Sequence, residues 1–267
     1  MNRKFFSLGL MSGTSLDGVD ASIINSDGEG FIDLIDDIYI KYDENLRLSI
    51  DRIIKLCRIK KDLNKFTKQI KDIEQKITFY HYKAYKLIAK KNKNTKIKLI
   101  GFHGQALIHK PQLGYSIQIG DPSMLAKLTG IKVISDFRKN DILNGGQGAP
   151  LTPLYHKLIL EKIKSKLPSA IINIGGIANI TYIEKNNSVI SFDVGPGNYL
   201  IDQWIKKKTK KNFDKDGKIA ASGKSNEKIL NKFFLDGYYK KKYPKSLDVK
   251  DFNLKLFSKL NLKDGAA

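Results

Sequence analysis

Three runs near the N-terminus, Lys4 to Met11, Val19 to Asn25 and Phe31 to Tyr42, space their apolar residues as β-strands do. From Glu44 to Lys93 the period lengthens. Leu46, Ile50, Ile53, Ile54 and Cys57, and further on Ile73, Ile77 and Tyr80, recur at three- and four-residue intervals, which predicts at least two helices. "IKLIGFHGQ" then predicts a strand ending at Gly101 to Gln105, "YSIQIG" another, "PSMLAKLTG" a short helix closed by Gly130, and "IKVISDF" a further strand. Strands and helices in this order imply α/β layers.

A second unit begins near Pro168. "SAIINIGGIANITYI" is an apolar strand, a turn at Gly175 and Gly176 and a second apolar strand, the same plan as "GLMSGTSLDGVDA" at the head of the chain. After it, "SVISFDVGPGNYLIDQWI" predicts a third strand, a turn at Gly195 and Gly197, and an amphipathic helix carrying Leu200, Ile201, Trp204 and Ile205. Two strand-turn-strand units, one heading each half, imply an internal duplication, with lobes at 1–167 and 168–267. Taken singly, each glycine turn reads either as an ordinary hairpin or as a cradle for phosphate.

With 267 residues, 41% of them hydrophobic, the chain suits one large core or two modest ones. No stretch approaches the roughly 18 to 20 uncharged apolar residues of a membrane span, and the N-terminus reads as strand rather than signal peptide. The single Cys57 reads as a packed thiol, and with no disulfide to form the expected compartment is the cytoplasm. A net charge of +21 raises the question of nucleic acid, but the lysines are scattered over many helix-like runs rather than gathered on one face, so none is expected as a partner. A homodimer stays open.

The signatures "GLMSGTSLDGVDA", "GFHGQALIHKP", "SIQIGDPSMLAKLTG", "VISDFRKNDILNGGQGAPLTPLYH", "INIGGIANIT" and "FDVGPGNYLID" together resemble, in the same order, those of the anhydro-N-acetylmuramic acid kinases. The resemblance implies the two-lobed actin-like ATPase fold, a duplicated mixed sheet with flanking helices. It also implies an ATP- and Mg²⁺-dependent reaction that opens the 1,6-anhydro ring of the sugar and phosphorylates O6, in the recycling of peptidoglycan.

Carried residue by residue, the resemblance places ATP on Gly13, Thr14, Ser15, Leu16, Asp17, Gly18, Val19 and Asp20. Physically, Gly13 and Gly18 would let main-chain N–H groups face phosphate, and Asp17 suits a water-mediated Mg²⁺. Gly175, Gly176 and Asn179 would grip phosphates from the other lobe, with Asp193 a second candidate for the metal's water shell. Asp136, at the end of the strand "KVIS", is either a turn cap or, by its match to the family's catalytic aspartate, the base. Arg138 and Asp141, expected on the same loop, either bind sugar or pair with each other, and "GGQGAP" reads as a flexible turn. His103, Gly195, Gly197 and Asn198 are further sugar-side candidates; His103 reads as cleft-lining rather than as the base, and His81 and His156 as packing or surface residues.

Toward its end the chain departs from the family. "YPKSLDVKDF" keeps the Pro-Lys-Ser core at Pro244 to Ser246 but not the continuation associated with many members. The hundred residues after Leu167 are too few for a full second lobe with an adenosine pocket. The expectation is an incomplete second lobe that leaves apolar faces uncovered, each uncovered aliphatic side chain forfeiting roughly 1.5 to 3 kcal/mol. The alternative function is a catalytically impaired sugar-binding relative without its adenosine site.

Overall fold

The computed structural model describes residues 3–234, 237–243, 245–248, 252 and 254–267, which form two compact units, Met1–Gly148 and Ala149–Ala267. In the first, strands β1 (Phe5–Ser12), β2 (Gly18–Ser26) and β3 (Ile32–Lys41) follow one another antiparallel. Helices α1 (Glu44–Leu56) and α2 (Thr67–Lys91) come next, with a 3-10 turn at Lys60–Phe66 between them. Then follow β4 (Ile97–Lys110), β5 (Tyr115–Ile119), α3 (Pro122–Thr129), β6 (Lys132–Ile134) and α4 (Phe137–Leu143).

The sheet is mixed. Its order is β3-β2-β1-β4-β5, and β6 pairs with β4. Strands β1, β4 and β6 run parallel, so their carboxyl ends share one edge. Alternation decides which face is core: Leu8 and Leu10 of β1 and Val19, Ala21 and Ile23 of β2 turn inward. The helical period seen in the sequence supplies the other wall, with Leu46, Ile50 and Ile53 from α1 and Ile73, Ile77, Ala84 and Ile88 from α2. Caps set the helix ends. The Asp43 carboxylate accepts from Leu46 N–H at the start of α1, the Asp121 carboxylate accepts from Met124 N–H at the start of α3, and Gly130 closes α3 in the left-handed conformation.

The second unit starts with α5 (Pro153–Lys162), then the antiparallel strands β7 (Ser169–Ile174), β8 (Ile177–Ile183) and β9 (Val189–Pro196), and helices α6 (Tyr199–Lys208) and α7 (Glu227–Phe234). The β7-β8-β9 meander repeats the β1-β2-β3 meander, as the duplicated sequence plan predicts. The boundary at Gly148 falls ahead of the expected 167/168 because α5 packs on β8 and β9, and His156 bonds the Thr181 hydroxyl at 2.8 Å. Strand β7 leaves Ile172 and Ile174 59% and 63% exposed.

The core of this unit is small: Trp204, Ile205 and Ala266, ringed by Ile201, Ile219, Ala220, Leu254, Phe257, Leu260 and Leu262. Trp204 donates its indole N–H to the Leu262 carbonyl at 3.0 Å, and a Cβ on Gly265 would lie 2.3 Å from the indole ring. Trp204 is the chain's one tryptophan, so its emission reports on this unit alone. Gly265→Ala should destabilise the second unit by about 1 to 3 kcal/mol through overpacking. Urea titration should then show the Trp204 red shift at lower denaturant while hydrogen exchange at Leu8 and Leu10 is unchanged; an unshifted midpoint would contradict the packing.

Candidate active site

Strand β1 ends in a tight turn. Ser12 is its last residue and Gly18 opens β2, and between them Leu16 holds φ +59°, a left-handed conformation rare outside glycine. The Leu16 N–H donates to the Gly13 carbonyl at 3.3 Å, and the Gln105 side-chain amide donates to the same carbonyl at 3.0 Å. Ser15 Oγ donates to Asp17 at 2.5 Å. Thr14 and Ser15 are exposed, and among the described residues no acceptor meets their N–H groups. That is a suitable face for an anion. The rest of the expected ATP segment has other work: Leu16 and Val19 are buried in the core, and Gly18 is a strand residue. A Cβ on Gly18 would lie 2.1 Å from the Ile40 carbonyl oxygen, so β3's approach, rather than phosphate, demands glycine there. Burial, followed by the charges of Asp17 and Asp37, pushes the Asp20 carboxyl up.

Asp136 follows β6 at the same carboxyl edge of the sheet. It holds φ +62° as the N-cap residue of α4, and its carboxylate makes no capping bond. The residue is exposed, its carbonyl accepts from Asn140 N–H at 2.9 Å, and its carboxylate, with no hydrogen bond or ion pair among the described residues, is available to a ligand. The next residue fixes it there: the Phe137 ring lies over Gly101 of β4, which pairs with Gly9 on one side and Ile134 on the other.

Arg138 and Asp141 lie on helix α4, not on a loop, and both bond main-chain groups of Gly148. Arg138 donates from Nε to His103 Nε2 at 2.8 Å and from Nη1 to the Gly148 carbonyl at 2.7 Å. Asp141 accepts from Gly148 N–H at 2.6 Å, clasping the turn that the glycines had suggested was flexible. Sequence reading missed α4 because it is seven residues long and begins with a residue in a non-helical conformation.

His103 donates from Nδ1 to the Gly104 carbonyl at 2.8 Å. Because guanidinium can only donate, Nε2 carries the lone pair that receives Arg138. The ring is neutral: burial, with the Arg138 charge adding to it, lowers its pKa to about 4. His109 is likewise lowered to about 4, by burial and then by Arg138 and Lys110, and its Nδ1 meets Ser116 Oγ at 3.1 Å.

His81 is the residue that sequence reading undervalued. It is fully buried on α2, with Nδ1 donating to the Ile77 carbonyl at 2.8 Å and Nε2 3.2 Å from Ser12 Oγ. The Tyr42 hydroxyl lies 2.5 Å from the same Ser12 oxygen. The signal was in the periodicity: His81 continues the inward row Ile73, Ile77, and Ser12 the inward row Leu8, Leu10, so two polar groups point into one core.

In the second unit, a Cβ on Gly197 would lie 2.1 Å from the Gly175 carbonyl oxygen. The N–H groups of Gly197, Asn198 and Tyr199 donate to the carbonyls of Gly175 and Gly176 at 2.8 to 3.2 Å. The turn before α6 is therefore clamped to the β7-β8 hairpin, and Gly195 lies inside β9. Asn179 pairs with Asp193 across β8 and β9. Buried Asp193 accepts from Leu247 N–H at 2.8 Å, and its own N–H donates to the Lys245 carbonyl at 3.1 Å. Pro244, in the Pro-Lys-Ser core, lies outside the described residues.

Comparison with known proteins settles the family. The family model described as "Anhydro-N-acetylmuramic acid kinase" matches residues 5–265. The chain belongs to the anhydro-N-acetylmuramic acid kinase family. Relatives of that name include one from Pelagibacter ubique (strain HTCC1062), 45% identical, with 99% of this chain and 71% of the relative aligned. Another, from Rhizobium etli, is 37% identical over 97% of this chain and 71% of its own length. A third, from Zymomonas mobilis, is 39% identical over 98% and 72%. Among solved structures, the PPX-GPPA enzyme of Aquifex aeolicus has a TM-score of 0.35 at 11% identity, over 78% of this chain and 57% of that one. The ethanolamine utilization protein EutJ of Carboxydothermus hydrogenoformans has 0.31 at 12%, over 81% and 61%. These two likenesses are too slight to bear on the site. The chain is a kinase of anhydro-N-acetylmuramic acid, an ATP-dependent activity of peptidoglycan recycling.

Neutral His81, His103 and His109 have a consequence for stability. The unfolded chain takes up protons near pH 6.5, which the folded chain refuses until about pH 4. Their contribution is complete above pH 6.5 and declines as the pH falls, by roughly 1 to 2 kcal/mol per histidine between pH 7 and 5. Urea unfolding at the two pH values checks this; equal midpoints would mean that the rings are protonated in the fold.

Proposed function

We propose that Asp136 is the general base of ring opening and that the turn Gly13–Asp17 holds the ATP phosphates. The observation that carries this reading is the shared carboxyl edge: an exposed carboxylate in a left-handed conformation after β6, and a turn with outward N–H groups after β1. Ligands of open α/β sheets gather at such an edge, and backbone strain persists where a function requires it. Asp136 would take a proton from the water that attacks the anomeric carbon. The bond from that carbon to O6 breaks, and O6 attacks the γ-phosphorus, releasing ADP; the proton on Asp136 passes to solvent.

On this reading Arg138, held by His103, faces the developing negative charge, and His103 itself positions without exchanging protons. Asp141 acts through the Gly148 turn. Gly195, Gly197 and Asn198 keep the hairpin in place, and the Gly175 and Gly176 turn of that hairpin is the phosphate-binding candidate of the second unit. Asp17 is the stronger candidate for the water shell of Mg²⁺, since it is exposed beside the turn, whereas Asp193 is already engaged with Leu247. A Mg²⁺ there would spread the charge on the phosphates, and it needs only one or two carboxylates. Among the described residues no helix is long and apolar enough to cross a membrane; membership of the kinase family supports a cytoplasmic enzyme.

Incubating the chain with ATP, Mg²⁺ and anhydro-N-acetylmuramic acid, and following ADP release with formation of the 6-phosphate, tests the assignment. Asp136→Asn should lower kcat by about 10²- to 10⁴-fold. Asp136→Gly should be equally inactive, yet more stable by about 1 kcal/mol, because glycine accepts φ +62° freely. Turnover retained in Asp136→Asn would overturn the assignment.

A further inference from the structure

The turn is fastened from beneath at both ends by one helix. Ser12, 1% exposed, sits between the Tyr42 hydroxyl and His81 Nε2. Because His81 Nδ1 faces a carbonyl, which can only accept, the neutral ring presents a lone pair at Nε2. The direction of the chain follows: Tyr42 O–H donates to Ser12, Ser12 O–H donates to His81, and His81 N–H donates to Ile77. Burial holds the Tyr42 hydroxyl above its ordinary pKa and His81 below, so neither end ionises near neutrality.

At the other end of the turn, Tyr42 N–H donates to the Asp17 carbonyl at 2.8 Å. The Tyr42 ring packs edge-on against Tyr80 at 5.0 Å, and the Tyr80 hydroxyl donates to the Asp43 carboxylate at 2.8 Å. Consecutive residues of α2, Tyr80 and His81, thus reach the segment that holds Asp17 and the residue that precedes Gly13.

We infer that Ser12, Tyr42 and His81 form a positioning network that sets the Gly13–Asp17 turn for the phosphates of a nucleoside triphosphate. The inference rests on the reading of that turn as the phosphate site. None of the three side chains touches the ligand; they act by fixing where Thr14 and Ser15 present their N–H groups. A network that served only the core would loosen the whole unit when cut, whereas a positioning network loosens the turn first.

Ser12→Ala and Tyr42→Phe each delete one hydroxyl with little change in volume. In the full chain without nucleotide, amide exchange at Leu16 and Tyr42, whose N–H groups close the turn, should accelerate about tenfold in each variant. Exchange at Leu8 and Leu10 of β1 should stay within twofold. Uniform acceleration across the unit, or none at the turn, overturns the inference. The kinetic signature is a roughly tenfold higher KM for ATP with the KM for the sugar within twofold; equal rises in both also count against it. If Ser12→Ala does not fold, Tyr42→Phe decides alone. Thr14→Pro, which removes one of the presented N–H groups, and Asp17→Asn separate the two readings. Should these leave nucleotide affinity untouched, the phosphate assignment fails; should they weaken it while the network variants do not, the network inference alone fails.

Discussion

Strand β1 pairs antiparallel with β2 and parallel with β4, and between Leu10 and Ser12 the parallel register shifts so that Ser12 comes opposite Gln105. The first unit's functional edge depends on that pairing. An antiparallel partner alone would leave β1 as one arm of a hairpin, with its end turned toward solvent. The parallel partner gives it neighbours whose carboxyl ends face the same way, and through β4 it reaches β6. The shift at Ser12 then lets Gln105 reach past the strand and hold the Gly13 carbonyl. Two residues earlier on β4, His103 receives Arg138 of α4. One strand therefore braces both the turn after β1 and the helix after Asp136.

The second unit reaches similar rigidity by different means. Its hairpin carbonyls are saturated by the N–H groups that open α6, so the N-terminus of that helix, elsewhere a natural seat for an anion, is occupied by the protein itself. Asp193 follows the same logic. Burying a carboxylate is tolerable when N–H donors meet it, and Leu247 supplies one.

Most of the fold was legible because its signals are periodic. Strands β1 to β3 lie within a residue or two of their apolar runs, and α2 carries the predicted spacing over 25 residues. What escaped was what periodicity does not carry. Helix α4 is too short to show a period. The unit boundary depends on which sheet α5 covers, and the sequence of α5 is the same whichever face it meets. The candidate base was legible by its place after a strand and by family resemblance, yet its left-handed backbone was not, because asparagine and aspartate adopt that conformation without a sequence cue. The roles of His103 and Arg138 depend on a contact across 35 positions.

The assignment of the base to a carboxylate also follows from what the edge does to its histidines. An imidazole is the usual proton acceptor near neutral pH. Here His103, the one closest in the bonding network to Asp136, has Nδ1 turned to a carbonyl and Nε2 filled by a guanidinium that cannot accept a proton. Freeing that lone pair would mean breaking a charge-assisted bond to the half-buried Arg138 guanidinium, a penalty of about 1.5 to 3 kcal/mol. His81 is occupied in the same way beneath the turn, and His109 lies against Ser116. Burial thus holds these three imidazoles neutral near pH 7. On the reading proposed above, the exposed carboxylate of Asp136, which Phe137 anchors over the centre of the sheet, is the group that receives a proton from the attacking water.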